Sequence, residues 1–267
     1  MIQAIAHPTD FSAEGRVAFA HALRLALHHR CRLDLLHVRS PSDRDMWDAF
    51  PHVRETLAQW GLLEAGAPVE TITSQLGITV RKIEIRHADA VSGVVTYLAE
   101  HRPELVVAAT HGRAGLSRWL SGSVSEGIAR QSHLPTLFVG PTARPFVDSA
   151  SGDLSLKRIL IPVAHAPSPH RALPRLAHLF EPLMPRLYPL HVGEVAPAVF
   201  GADGDPIAVT VTQGSLVETI LELAESVSAS LIAMPTAGHQ GFLDALRGST
   251  TEQVLHRASC PVLALPA

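Results

Sequence analysis

The sequence predicts an α/β protein built from two tandem open five-stranded parallel sheets, the second shortened by one helix. The first observation behind this is alternation. Short apolar runs rich in Val, Ile and Leu are separated by stretches with helical periodicity, and such alternation implies parallel strands joined by right-handed crossovers that cover both faces of a sheet. The second is an internal duplication. Ala108-Ala109-Thr110-His111-Gly112, then nine residues and Gly122-Ser123-Val124-Ser125-Glu126, is answered by Met234-Pro235-Thr236-Ala237-Gly238, then nine residues and Gly248-Ser249-Thr250-Thr251-Glu252. A constant offset of 126 (238 − 112, 248 − 122) relates them and also carries Pro135 onto Pro261. The third is the glycine spacing itself, which is that of a phosphate-binding turn.

The elements follow in order. Ile2 to His7 is a strand, Ser12 to His29 a helix with Val17, Ala20, Leu23, Ala26 and Leu27 on its buried face, and Arg32 to Val38 a second strand. A single helix is expected from about Asp45 to Leu63, then a strand from Val80 to Arg86, a helix from Ala90 to His101 and a strand from Leu105 to Ala109. After the glycine turn come a helix from Ser123 to about Gln131 and a strand from Thr136 to Gly140. The first domain is assigned to 1–141, a Pro-, Ser- and Gly-containing linker to 142–156, and the second domain to 157–267. The second copy restarts with Ile159 to Val163, His170 to Phe180 and Leu187 to Val192, at an offset of 154 (162 − 8, 191 − 37). The change of offset from 154 to 126 leaves this copy 28 residues shorter between Val192 and Gly214, where Gly and Pro interrupt any helix.

Composition bounds the function. The chain has 267 residues, 46% hydrophobic and 18% charged, with a formal net charge of −3, which suits two soluble domains. Its 22 Lys and Arg are scattered and outnumbered by 25 Asp and Glu, so nucleic acid is not an expected partner. The start lacks a cationic segment before its short apolar run and no stretch reaches membrane-spanning length, so a cytoplasmic protein without membrane contact is expected. Cys31 and Cys260 lack metal or redox spacing and read as reduced structural thiols. The 16 histidines, His28-His29 and the His165/His170 pair among them, show no ligand pattern and predict no metal site. His7, His37, His111 and His191 fall at strand ends and are given no catalytic role.

In an open parallel sheet, ligands bind beyond the carboxyl ends of the strands, where the strand order reverses. With the order 3-2-1-4-5 that point lies between strands one and four, which brings Thr9 and Asp10 opposite Ala109 to Gly112. Gly112 and Gly122 lack a Cβ and let backbone N–H groups approach an anion, and a helix starting near Ser123 offers unpaired N–H groups and a favourable dipole. Arg113, Arg118 and Arg130 add positive charge nearby. The same Ser123-x-x-Glu126 and Ser249-x-x-Glu252 patterns are capping boxes, which need no ligand. The two lysines, Lys82 and Lys157, and the absence of G-x-x-x-x-G-K-[ST] exclude a P-loop. No nucleophile motif or adenylating-type signature is present either, so no catalytic residue is assigned.

These residues carry a resemblance. Pro8-Thr9-Asp10-Phe11-Ser12, Leu36-His37-Val38, Thr110-His111-Gly112-Arg113 and Gly122-Ser123-Val124-Ser125 resemble the universal stress protein family in its tandem, Rossmann-like form. The resemblance implies adenine-nucleotide binding, ATP or AMP together with Mg²⁺, in the first domain, with a regulatory rather than catalytic role. It carries the site onto Thr9, Asp10, Val38, Ala109, His111, Gly112, Arg113, Gly122, Ser123, Val124 and Ser125. Two departures are present. Ala109 stands for the motif's first glycine and costs roughly 1 kcal/mol only if positive φ is required there. In the second copy Pro235 takes that place and Ala164 stands for Asp10, so Gly238, Gly248 and Ser249 mark a remnant with no ordinary nucleotide binding. The resemblance also implies that the last strands of the halves, otherwise open edges, pair within the chain; the shortened half suggests a homodimer surface. A slow ATPase and a nucleotide-free scaffold are the rival readings.

Overall fold

The computed structural model describes residues 2–39, 47–110, 124–180, 183–201, 204–236 and 250–266. The first half contributes β1 (Ala4–Pro8), α1 (Ala13–His29), β2 (Arg32–Arg39), α2 (Val53–Gln59), α3 (Glu70–Leu76), β3 (Thr79–Arg86), α4 (Ala90–His101), β4 (Leu105–Ala109), α5 (Val124–Ser132) and β5 (Thr136–Val139). The second half contributes β6 (Arg158–Pro162), α6 (Pro169–Phe180), β7 (Arg186–Val192), β8 (Thr210–Thr212), α7 (Leu216–Ser226), β9 (Leu231–Thr236), α8 (Thr250–Arg257) and β10 (Val262–Pro266). The strands form one sheet in the order β3-β2-β1-β4-β5-β10-β9-β6-β7-β8. Each half keeps the 3-2-1-4-5 order with parallel neighbours, and β5 meets β10 antiparallel through Leu137 opposite Leu263.

Local chemistry accounts for the boundaries. Ser12 caps α1 by accepting the Gly15 N–H at 3.1 Å, and the helix stops at Arg30 in the left-handed conformation. Asp89 caps α4 by accepting the Ser92 N–H at 2.7 Å. The helix expected from Asp45 to Leu63 is corrected. Its described part is a 3-10 turn, Trp47–Ala49, followed by α2, because Pro51 has no N–H to give and disfavours the helical conformation in the residue before it. Helix α3 has no counterpart in the sequence reading, although Pro68 near its start and Gly77, at φ 70°, after its end are ordinary boundary signals. In the second half, no helix lies between β7 and β8 among the described residues.

Both faces of the sheet carry contacts between the halves. On one face α1 and α6 share a core with Phe50, Phe146, Leu156, Leu176 and Phe180, and the His29 Nε2–H donates to the Leu179 carbonyl at 2.9 Å. On the other face Ala129 of α5 joins the core formed by α7, α8 and β9. The segment read as a linker is a docked strap. Phe146 and Val147 are buried, the Phe146 ring meets His21 edge-on at 4.5 Å, and the Trp60 indole donates to the Ser149 carbonyl at 3.1 Å. Arg144 ties the same strap to the second half through the Ser259 carbonyl and the Glu225 carboxylate. Cys31 and Cys260 are free and buried, and burial pushes both thiols up to about 12, the range of inert structural cysteines.

Candidate functional site

Strands β1 and β4 pair only through Ile5 with Leu105 and Ala6 with Val106, after which they part. A cavity of about 150 Å³ opens at that point. Its floor is the end of β1 (Pro8, Thr9, Asp10), one wall is the end of β2 (Leu36, His37, Val38), and the opposite wall is Ala109 with Val124 and Ser125 of α5. Every predicted site residue of the first half that is described, namely Thr9, Asp10, Val38, Ala109, Val124 and Ser125, lines this cavity. His111, Gly112, Arg113, Gly122 and Ser123, with Gly238, Gly248 and Ser249 of the second copy, lie outside the described residues.

The turn after β1 is held by several bonds at once. The Thr9 N–H donates to Leu36 at 2.8 Å, the His37 Nδ1–H donates to the Thr9 carbonyl at 2.9 Å, and the Thr9 hydroxyl oxygen accepts the Phe11 N–H at 3.1 Å. Phe11 sits at φ 64°, an uncommon conformation for a bulky residue, and its ring stacks on His37 with centroids 4.1 Å apart. Asp10 is exposed, and its Oδ1 accepts the Ser12 N–H at 3.0 Å. Gly15 keeps α1 close behind this turn, since a Cβ there would lie 3.4 Å from Asp10 Oδ1 and 3.3 Å from Ser12 Oγ.

On the facing wall, the Ser125 hydroxyl donates to the Ala109 carbonyl at 2.6 Å. Its proton is therefore engaged in fastening the first turn of α5 to the end of β4, and its oxygen faces any ligand as an acceptor. Ala109 is absent from the positive-φ residues and pairs with Val139 as ordinary strand, so the alanine costs little at that position. The start of α5 brings N–H groups and the positive end of a helix dipole to the cavity rim. Among the described lining residues Asp10 is the one carboxylate.

The strand-end histidines His7, His37 and His191 are each tied to a backbone carbonyl, and His111 lies outside the described residues. His37 and His191 make the same bond in both halves, the latter donating from Nδ1 to the Val163 carbonyl at 2.9 Å. His7 is fully buried and donates from Nδ1 to the Val107 carbonyl at 2.8 Å, bridging the gap where β1 and β4 part. Burial lowers it to about 4, so it is a neutral strut at pH 7. Sequence reasoning missed Ala90 and Val94 of α4 and Ile128 of α5, which close the apolar side of the cavity. They carry no motif; the signal that placed them is only that α4 and α5 start directly at the strand ends.

The second half has a corresponding crevice of about 280 Å³, lined by Val163, Ala164, His191, Val192, Pro235 and Thr251 among others. Ala164 occupies the place of Asp10, so this crevice lacks a carboxylate among its described lining residues.

The profile of the universal stress protein family matches residues 1–140 and 198–266, which is more than half of the chain. The chain belongs to the universal stress protein family. The matched segments omit 141–197, which hold the strap and the strand end where Ala164 stands. A universal stress protein of Methanocaldococcus jannaschii is 26% identical over 138 residues, spanning 49% of this chain and 78% of that protein. A universal stress protein A homolog of Coxiella burnetii is 44% identical over 52 residues, spanning 20% of this chain and 35% of that protein. In three dimensions the whole chain is similar to a universal stress protein from Archaeoglobus fulgidus, with TM-score 0.66, 22% identity, and 98% and 96% of the two chains covered. It is also similar to a universal stress protein from Pseudomonas aeruginosa, with TM-score 0.63, 18% identity, and 99% and 93% covered. These two share the tandem fold.

Proposed function

We propose that the first crevice holds an adenine nucleotide, ATP or AMP, and that this protein acts as a nucleotide-responsive regulator. The observation that carries the reading is the convergence of Thr9, Asp10, Val38, Ala109, Val124 and Ser125, marked in sequence by motif alone, on one cavity. The donor set fits the ligand. Leu36, Val38, Val94 and Ile128 supply an apolar slot for a base, Asp10 a carboxylate for ribose hydroxyls, and the start of α5 an anion-attracting end for phosphates. A Mg²⁺ ion arriving with ATP would be held by the phosphates and would neutralise part of their charge.

The regulatory reading draws on the engagement of the lining groups: the Asp10 Oδ1 accepts the Ser12 N–H, and the Ser125 proton is directed to the Ala109 carbonyl. Pairing of β5 with β10 supports reading one chain as a pseudo-dimer, which leaves β3 and β8 as the terminal strands of the sheet. A homodimer built on the shortened half is read by light scattering, and a strict monomer contradicts it.

Calorimetry with ATP, AMP and Mg²⁺ tests the binding. Wild-type protein is expected to bind, and Asp10→Ala to bind roughly 10- to 100-fold more weakly, the value of a hydrogen bond to a charged group. Unchanged affinity in Asp10→Ala contradicts the assignment.

A further inference from the structure

The repeat places a second cluster of chemistry far from the crevices in purpose, at the seam between the halves. Glu126 of α5 and Glu252 of α8 are equivalent under the 126-residue offset, and they come together on one face of the sheet. His256, one turn after Glu252, stands 3.8 Å from Glu126 and 3.9 Å from Glu252, measured from Nε2 to the carboxylate oxygens. One donor atom from each of the three lies within 4.8 Å of the others. The third donor exists because the duplication is broken at one position: the equivalent of His256 in the first half is Arg130, which could not ligate a cation.

We propose that Glu126, Glu252 and His256 form a binding site for a divalent transition metal of the zinc class, which pins the two halves together. The donor types suit it, since two carboxylate oxygens and one imidazole nitrogen are a common set for such ions, whereas Mg²⁺ and Ca²⁺ favour oxygen alone. Donors at tetrahedral positions about 2.1 Å from a metal are roughly 3.4 Å apart, so the 3.8 and 3.9 Å from His256 to the two carboxylates need only a few tenths of an ångström of closure, while the set as a whole, within 4.8 Å, needs the two carboxylates to draw together by rotamer adjustment. Burial adds to the case. The Glu126 side chain is only 8% exposed and those of His256 and Glu252 are 22% and 25% exposed, so the ion would be sheltered yet reachable, with a fourth position open to water. Each glutamate lies one residue beyond a crevice wall, Ser125 and Thr251, so the metal would join the two helices that begin at the two crevices. It complements the His29–Leu179 bond on the other face.

Zn²⁺ is titrated calorimetrically into the full chain after chelator dialysis. One tight Zn²⁺ per chain is expected, weakened at least tenfold in both Glu126→Gln and His256→Gln and unchanged in His178→Gln, an exposed histidine beside Glu104. No saturable binding, or equal binding in all three variants, overturns the proposal and leaves His256 as an ion-pair partner of the two glutamates. If Glu126→Gln fails to fold by circular dichroism, Glu252→Gln replaces it. An independent reading uses Co²⁺ on wild-type protein and the histidine ring resonances in NMR. Broadening of His256 before the other histidines supports the site, and broadening of other histidines first overturns it.

Discussion

Acid should destabilise this protein well above the pH at which its carboxylates titrate, through two histidines that are buried in the neutral form. His7 and His21 are both fully inaccessible, and burial lowers each from 6.5 to about 4. In each ring Nδ1–H donates to a carbonyl, Val107 for His7 and Val17 for His21. A proton added to Nε2 has no acceptor at His7, and at His21 it would confront the Val147 N–H that now donates to that atom at 3.4 Å. Because the folded values lie below the unfolded ones, the unfolded chain binds more protons between pH 6.5 and 4, and stability falls as the pH drops through that window. At about 1.4 kcal/mol per pH unit, each histidine removes about 2 kcal/mol at pH 5 and about 3 kcal/mol below pH 4. Together they remove about 4 kcal/mol at pH 5, which for a chain of this size lowers Tm by about 8–16 °C. The carboxylates that the fold stabilises in ionised form, Asp89, Asp148 and Glu218, start at 3.8 or 4.5 and are lowered further, so their contribution is lost mainly below pH 5 and the fall between pH 6.5 and 5 belongs to the histidines. The assay is Tm by differential scanning calorimetry from pH 7.5 to 5, on wild type and on His7→Asn, whose amide can still donate to Val107. The variant should show a clearly smaller drop than wild type, the remainder coming from His21 and from His28 and His29, which burial also lowers. A flat wild-type profile, or the same slope in His7→Asn, refutes the reasoning.

Three further outcomes follow from the geometry. Ser125→Ala should weaken nucleotide binding far less than Asp10→Ala, because the hydroxyl proton serves the Ala109 carbonyl, while urea denaturation shows a loss of about 1 kcal/mol. Gly152→Ala in the strap should cost about 1–3 kcal/mol and change Trp fluorescence, since Gly152 is at φ 73° and a Cβ there would overlap the Trp60 ring; a neutral effect would mean the strap is not docked on Trp60. Ala109→Gly should leave nucleotide affinity within about twofold and slightly lower stability, as the position is extended strand and gains nothing from glycine.

The parts of the fold that were legible in the sequence are those where local chemistry and tertiary structure agree. The helix Ala90–His101 is bounded by its caps Asp89 and Arg102, the strand Leu105–Ala109 is one continuous apolar run, and both expected ranges match the observed ones. Between β2 and β3 that agreement fails. Apolar periodicity from Asp45 to Leu63 suggests one helix, while Pro51 forbids its continuity, and the weaker period overrode the stronger rule. The strap was unreadable for a different reason. Phe146 and Val147 look like isolated apolar residues among turn formers, and only Trp60 and His21, distant in sequence, give them a place to be buried. At the site, residues with a chemical signature such as Asp10 and Ser125 could be named, whereas Ala90, Val94 and Ile128 are wall-forming by position alone. The Glu126, Glu252 and His256 cluster escaped because its members come from both copies, and histidine spacing along one segment does not reveal a site split by a pseudo-dyad.

The first crevice is expected to bind adenine nucleotide and the second, with Ala164 in place of Asp10, is not. Native mass spectrometry of the full chain with ATP and AMP, read for stoichiometry, tests it most directly. One nucleotide per chain, bound roughly 10- to 100-fold more weakly in Asp10→Ala, is the predicted result. Two per chain, or none at millimolar nucleotide, contradicts it.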